Sequence, residues 1–184
     1  MKLVLGLDYA VAQWVSFNIP HSNGFGPCTA IGIMDANEEL AGGVVFNNYQ
    51  PEYGGIEISF VARSPKCLTK NIICGIFAYP FDQLRVKRVT AVTPRKAASA
   101  RRFLEKFGFK REGVLRRGFG NDDAIIYGLL EKEWRRSRFT RDAVDDRKEH
   151  ATPTRAGRSR QNSGGSNGFQ YRNGAASAEA QCRQ

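Results

Sequence analysis

The chain has 184 residues, with 28 Lys and Arg against 18 Asp and Glu, and a formal charge of +10. Its 41% hydrophobic content suffices for one domain core, and the sequence has no apolar run of membrane-spanning length. The positive balance favours polyanion partners: nucleic acid, the ribosome, or the phosphates of a nucleotide.

The predicted elements begin after a short N-terminal segment. Met1–Asp8 has too brief an apolar stretch for a secretory signal and reaches Asp8 early, so the expected location is the cytoplasm, with no membrane contact. Tyr9–Phe17 reads as a helix with Val11, Trp14 and Val15 on one face. Ile19–Gly24 is loop by its turn chemistry. Three strands follow: Thr29–Met34, Leu40–Phe46 and Gly55–Ala62, separated by turns at Asp35–Glu38 and Asn47–Tyr53. In the third strand Ile56, Ile58 and Phe60 point one way, and Glu57, Ser59 and Val61 the other. Thr69–Gln83 reads as a buried helix, and Val86–Val92 as a strand. The next helix lies within Arg95–Phe107; Phe103, Leu104 and Phe107 mark its apolar side, and Gly108 supplies its left-handed stop. Strands at Lys110–Arg116 and Ala124–Leu130 close the series. This order predicts an α+β (mixed α/β) domain over residues 1–134 with one central sheet.

Composition changes after Trp134. Residues 135–184 hold 11 of the 28 basic residues and 5 of the 18 acidic ones, a net +6. From about residue 140 the Arg, Ser, Gly and Asn content cannot bury enough apolar surface to offset ordering entropy, so a basic, largely disordered tail is expected. It reads either as an electrostatic arm for nucleic acid or ribosome, or as a solvated extension. Cys28, Cys67, Cys74 and Cys182 form no C-x-x-C pair, and His21 and His150 lie far from any cysteine pair, so no metal site is expected.

Several landmarks occur in a fixed order. Glu57-Ile58-Ser59-Phe60-Val61 is followed by the Arg63–Asn71 loop. Tyr79–Leu84 precedes Arg88-Val89-Thr90-Ala91. The corner Leu104-Glu105-Lys106-Phe107-Gly108-Phe109 then leads to Asp123–Leu130 and Glu133-Trp134. Together they resemble the GNAT acyltransferases, with the look of the ribosomal-protein N-terminal acetyltransferase branch and of short phage-encoded GNAT proteins. The resemblance implies a mostly antiparallel central sheet flanked by helices. It also implies acetyl transfer from acetyl-CoA to a primary amine, whether a protein N-terminus, a lysine or a small amine.

The site follows from the same resemblance. A backbone amide in the stretch from Ser59 to Val61 would meet the thioester. Arg63, Lys66, Leu68, Thr69, Lys70 and Asn71 occupy the pyrophosphate loop, where amides at a helix N-terminus suit an anion. The family's usual loop glycines are replaced by Leu68 and Lys70. Inside the next helix its usual Asn and Ser are Ala97 and Ala100. Glu57 is the base candidate or a plain exposed strand carboxylate; Tyr127 is the acid candidate or a packed sheet aromatic. The alternative function is a GNAT-shaped protein without catalysis, binding nucleic acid or working as a virion-associated component.

Overall fold

The computed structural model describes residues 1–20 and 22–140. His21 and most of the expected tail, residues 141–184, lie outside them, so the readings of disorder and of a polyanion-binding arm are not addressed by it. Among the described residues no helix is long and apolar enough to cross a membrane.

Seven strands form one sheet. They are β1 (Lys2–Val4), β2 (Cys28–Met34), β3 (Leu40–Gln50), β4 (Gly55–Ala62), β5 (Arg88–Pro94), β6 (Lys110–Phe119) and β7 (Asp122–Leu130). Their order is β1-β2-β3-β4-β5-β7-β6, and every neighbour pair is antiparallel except β4 with β5. Helix α1 (Asp8–Asn18) covers one face of the sheet. Helices α2 (Lys70–Ala78) and α3 (Ala98–Lys106) and the short α4 (Glu131–Arg135) serve the other.

Strand alternation divides the core accordingly. Ile31, Ile33, Val44, Phe46, Ile56, Val89, Ala91, Ile125, Tyr127 and Leu129 pack with Ile72, Ile73, Ile76 and Phe77 of α2. On the opposite face Ala30 and Val45 pack with Val11 and Val15 of α1. Gly43 lets α1 approach closely, because a Cβ there would lie 2.6 Å from Val15 Cγ2 and 3.1 Å from Val11 Cγ1. Both valines are fully buried and cannot swing aside. Gly43→Ala is therefore expected to cost about 1–3 kcal/mol through overpacking, read as a lower denaturant midpoint at unchanged slope.

Most predicted elements stand, with local differences that have physical causes. Strand β3 continues through the expected turn as far as Gln50, because a bulge between Asn47 and Gln50 absorbs the turn-forming residues. Asn48 takes the left-handed conformation there, at φ 49°. Helix α2 changes to a π turn over Tyr79–Gln83, where Pro80 has no N–H to continue the α ladder and Leu84 N–H donates to Tyr79 O at 3.0 Å. Gly108, at φ 92°, ends α3, and Phe109 N–H donates back to Leu104 O.

Packing continues past Trp134. Phe139 is only 8% exposed, and its ring stacks near Trp134 and Phe107 at 5.9 and 5.4 Å. The packed fold reaches at least Phe139.

Candidate active site

The parallel pair β4–β5 holds together for three rungs: Gly55 with Arg88, Ile56 with Val89, Glu57 with Thr90. Beyond Glu57 the strands part, while β4 stays paired with β3 and β5 with β7. A slot opens in the sheet. Arg63 N–H donates to Ala41 O at 2.9 Å, which turns that residue toward β3. Alternation along the regular register then turns the amides of Val61 and Ser59 toward β3 as well. The amides that face the slot are those of Phe60 and Ala62. Within the expected stretch from Ser59 to Val61 it is thus the Phe60 amide that faces the slot, while those of Ser59 and Val61 face β3.

Helix α3 backs the slot on one face: the Phe103 ring stacks on Phe60 at 5.0 Å and 9°. Glu57 and Ser59 lie on the other face. A row of directly paired residues crosses the sheet there: Cys28, Asn47, Glu57, Thr90 and Gly128. Glu57 therefore sits at the last rung before the slot. Its Oε1 accepts from Asn48 Nδ2 at 2.7 Å. Beside it, Thr90 Oγ1 accepts from Arg88 Nε at 3.0 Å. Arg88 also forms a two-pronged ion pair with Glu112. That carboxylate lies across Gly128, in space a Cβ would fill. Glu112 is thus engaged by a cation, whereas the partner of Glu57 is a neutral amide. Asn48, Thr90, Arg88 and Glu112 were not among the site residues read from the sequence; register brings them together, and a strand glycine at 128 is a signal that could have pointed to the close approach.

Tyr127 lies on the opposite face. It is 0% exposed, one strand beyond β5, and its Oη donates to Glu105 Oε1 at 3.0 Å. Burial first, then the hydrogen bond and charge of Glu105, push its phenol up. The structure does not bring Tyr127 to Glu57, and its proton is directed to Glu105.

The predicted pyrophosphate loop is spread over several environments. Arg63 turns to the α1 side, where it pairs with Glu39 at 3.4 Å and lies over Trp14 at 5.7 Å. Ser64 accepts from Lys66 N–H and starts a single 3-10 turn at Pro65–Cys67. Leu68 packs against the core at φ −101°, so its backbone does not call for glycine. Thr69 caps α2, its Oγ1 accepting from Ile72 N–H at 3.4 Å. Lys66 and Asn71 are exposed beside that end, and Lys70 begins the helix. Of the predicted set, Lys66, Thr69, Lys70 and Asn71 gather at the α2 N-terminus, whereas Arg63 and the Leu68 side chain do not. Among the described residues no His, Cys, Asp and Glu cluster could hold a metal ion.

A hollow of about 430 Å³ lies along the outer flank of α1, between the helix and the loop that leads into β2. Cys28 lines it, two strands from Glu57 in the same row, which is about 10 Å at ordinary strand spacing. Burial first, then the charge of Asp8, push the Cys28 thiol up, so it stays protonated and poorly nucleophilic at neutral pH.

No protein-family model matches the sequence, and no curated protein does. Solved structures do match. A GCN5-related N-acetyltransferase from Brucella melitensis aligns with TM-score 0.53 and 24% identity over 64% of this chain and 57% of that one. A mutant spermidine N-acetyltransferase from Vibrio cholerae aligns with TM-score 0.58 and 14% identity, over 73% of this chain and 97% of that one. The dodecameric form of the Vibrio cholerae enzyme gives TM-score 0.51 and 19% identity, over 59% and 68%. With its mostly antiparallel sheet and parted parallel strands, the chain has the GNAT acyltransferase fold.

Proposed function

We propose that the protein is an N-acetyltransferase that moves an acetyl group from acetyl-CoA to a primary amine. One observation carries the reading: β4 and β5 part after three rungs and leave the Phe60 and Ala62 amides facing an open slot, with Glu57 at its mouth. A slot edged by strand amides without a strand partner fits an extended, amide-bearing cofactor arm. Acetyl-CoA, when bound, supplies the activated acetyl group. The Phe60 amide, fixed by the β3 register, is a preset donor toward charge developing on a carbonyl oxygen. Glu57 accepts the proton that the amine must lose as it forms its bond to carbon. The first turn of α2, capped by Thr69 and flanked by Lys66, suits a phosphate. No side chain on the Glu57 face is assigned as an acid, and a thiolate is a tolerable leaving group without one.

Support for an amine acceptor comes from the similar structures, two of which are spermidine N-acetyltransferases by name. Calorimetric titration with acetyl-CoA tests the reading. Binding below millimolar concentration is expected, followed by release of free CoA thiol when an amine is added; no binding at millimolar cofactor would overturn it.

A second reading keeps the fold without the chemistry, as a nucleic-acid-binding protein. Arg111, Arg116 and Arg117 are exposed on β6, the last strand in the sheet order. Under it, affinity for an RNA or DNA oligonucleotide falls steeply with salt, and acetyl-CoA does not bind.

A further inference from the structure

The hollow beside α1 is lined by chemistry unlike that of the rest of the chain. Tyr9, Phe17 and Phe25 contribute three aromatic rings, and Gln13 and Ser16 contribute neutral polar groups. Among the described residues no Lys or Arg lines it. Phe17 is 91% exposed and Tyr9 79%, so two large rings on one helix flank face water. The wall is nevertheless held in place. Tyr9 Oη accepts from Gln13 Nε2 at 2.9 Å, and Ser16 Oγ shares a hydrogen bond with Ser22 Oγ at 2.9 Å, tying the loop to the helix. The volume is that of a small-molecule site rather than of a macromolecular groove. A negative charge lies close by: Asp8 precedes Tyr9 and is felt at Cys28.

We infer that this hollow binds the body of the acceptor, a small primary amine carrying an aromatic group and no anionic substituent. Aromatic faces attract an ammonium group electrostatically and stack on a planar body. A hollow that no Lys or Arg lines among the described residues offers no partner there to a phosphate or carboxylate on the ligand. Cys28 and Glu57 share one row, so an amine reaching about 10 Å from a ring seated over Cys28 arrives at the slot mouth. The assignment as acceptor site rests on the acyl-transfer reading; the ligand chemistry is tested by binding alone.

The experiment is calorimetric titration of the full chain with 6-phenylhexylamine, whose nitrogen reaches about 10 Å from the ring, and with 6-phenylhexanoate, and separately with acetyl-CoA. The amine is expected to bind at least tenfold more tightly than the acid. Gln13→Lys, on an exposed flank position, is expected to weaken the amine about tenfold by placing a cation at the wall. Phe17→Ala should weaken it similarly, and both variants should keep the acetyl-CoA affinity of the parent. No binding of the amine, 6-phenylhexanoate binding as tightly, or variants that bind the amine like the parent would each overturn the inference. If acetyl-CoA binds and the amine does not, the hollow is refuted and the transferase reading stands; if the amine binds and acetyl-CoA does not, the reverse holds.

Discussion

Replacing Glu57 with Gln is expected to lower turnover by roughly 100- to 1,000-fold, the range for loss of a general base, while acetyl-CoA affinity stays within about twofold. The two readouts separate because Glu57 lies on the last paired rung, and the slot and the α2 end lie beyond it. Gln keeps the size and can still accept from Asn48 Nδ2, which the carboxylate does at 2.7 Å. The substitution therefore removes the proposed proton acceptor and leaves the local packing. The neighbouring carboxylate cannot easily take its place. Glu112 is held across Gly128 by both arms of Arg88, and that guanidinium also grips Thr90. Glu57→Asp should recover part of the rate, because it restores the charge one methylene short. Steady-state release of CoA thiol and calorimetric titration together check the prediction. A Glu57→Gln enzyme with parental turnover would move proton removal to solvent or to another group.

The contrast between Glu57 and Tyr127 explains what sequence could and could not locate. Both were singled out for residue type and place on a strand. The alternation of Ile56, Ile58 and Phe60 was enough to put Glu57 on the other face, and the structure keeps that division. Nothing in the sequence says whether two strands far apart in the chain turn their candidates to one face. That depends on register: Thr90 pairs with Gly128, so Tyr127, one residue earlier, belongs to the buried side with Ala91. A single step in register decides between an acid and a core residue. The gap-facing amides follow the same rule, which selects Phe60 from the expected stretch Ser59 to Val61 and adds Ala62. The hinge of β4 and β5 was invisible for a related reason, since parting is the absence of pairing and leaves no mark in residue type. Elements with strong periodicity, such as β4 and the Phe103–Gly108 corner of α3, were legible nearly to the residue. Strand β1, at three residues, is too short to carry a pattern.

Trp134→Ala is expected to destabilise the fold by about 3–5 kcal/mol, the cost of truncating a large core aromatic, although the residue sits where the domain was expected to end. Trp134 is 2% exposed. Its ring lies 4.6 Å from Phe77 of α2, 6.2 Å from Phe81 and 5.9 Å from Phe139. Among the described residues no other helix packs on Trp134, so collapse around a missing indole would have to move α2 or the segment carrying Phe139. Moving α2 shifts the Thr69 cap and the loop beside the slot. The variant should therefore lose acetyl-CoA affinity as well as stability, in contrast to Glu57→Gln, which loses only turnover. Denaturant unfolding followed by fluorescence, with a cofactor titration on the folded fraction, measures both. A loss under about 1 kcal/mol, the usual limit for exposed positions, would mean that the segment after β7 is only laid against the domain. Arg135 argues against that outcome: it donates to the Phe81 carbonyl at 3.2 Å and pairs with Asp82 at 2.6 Å, fastening α4 to the π turn that ends α2.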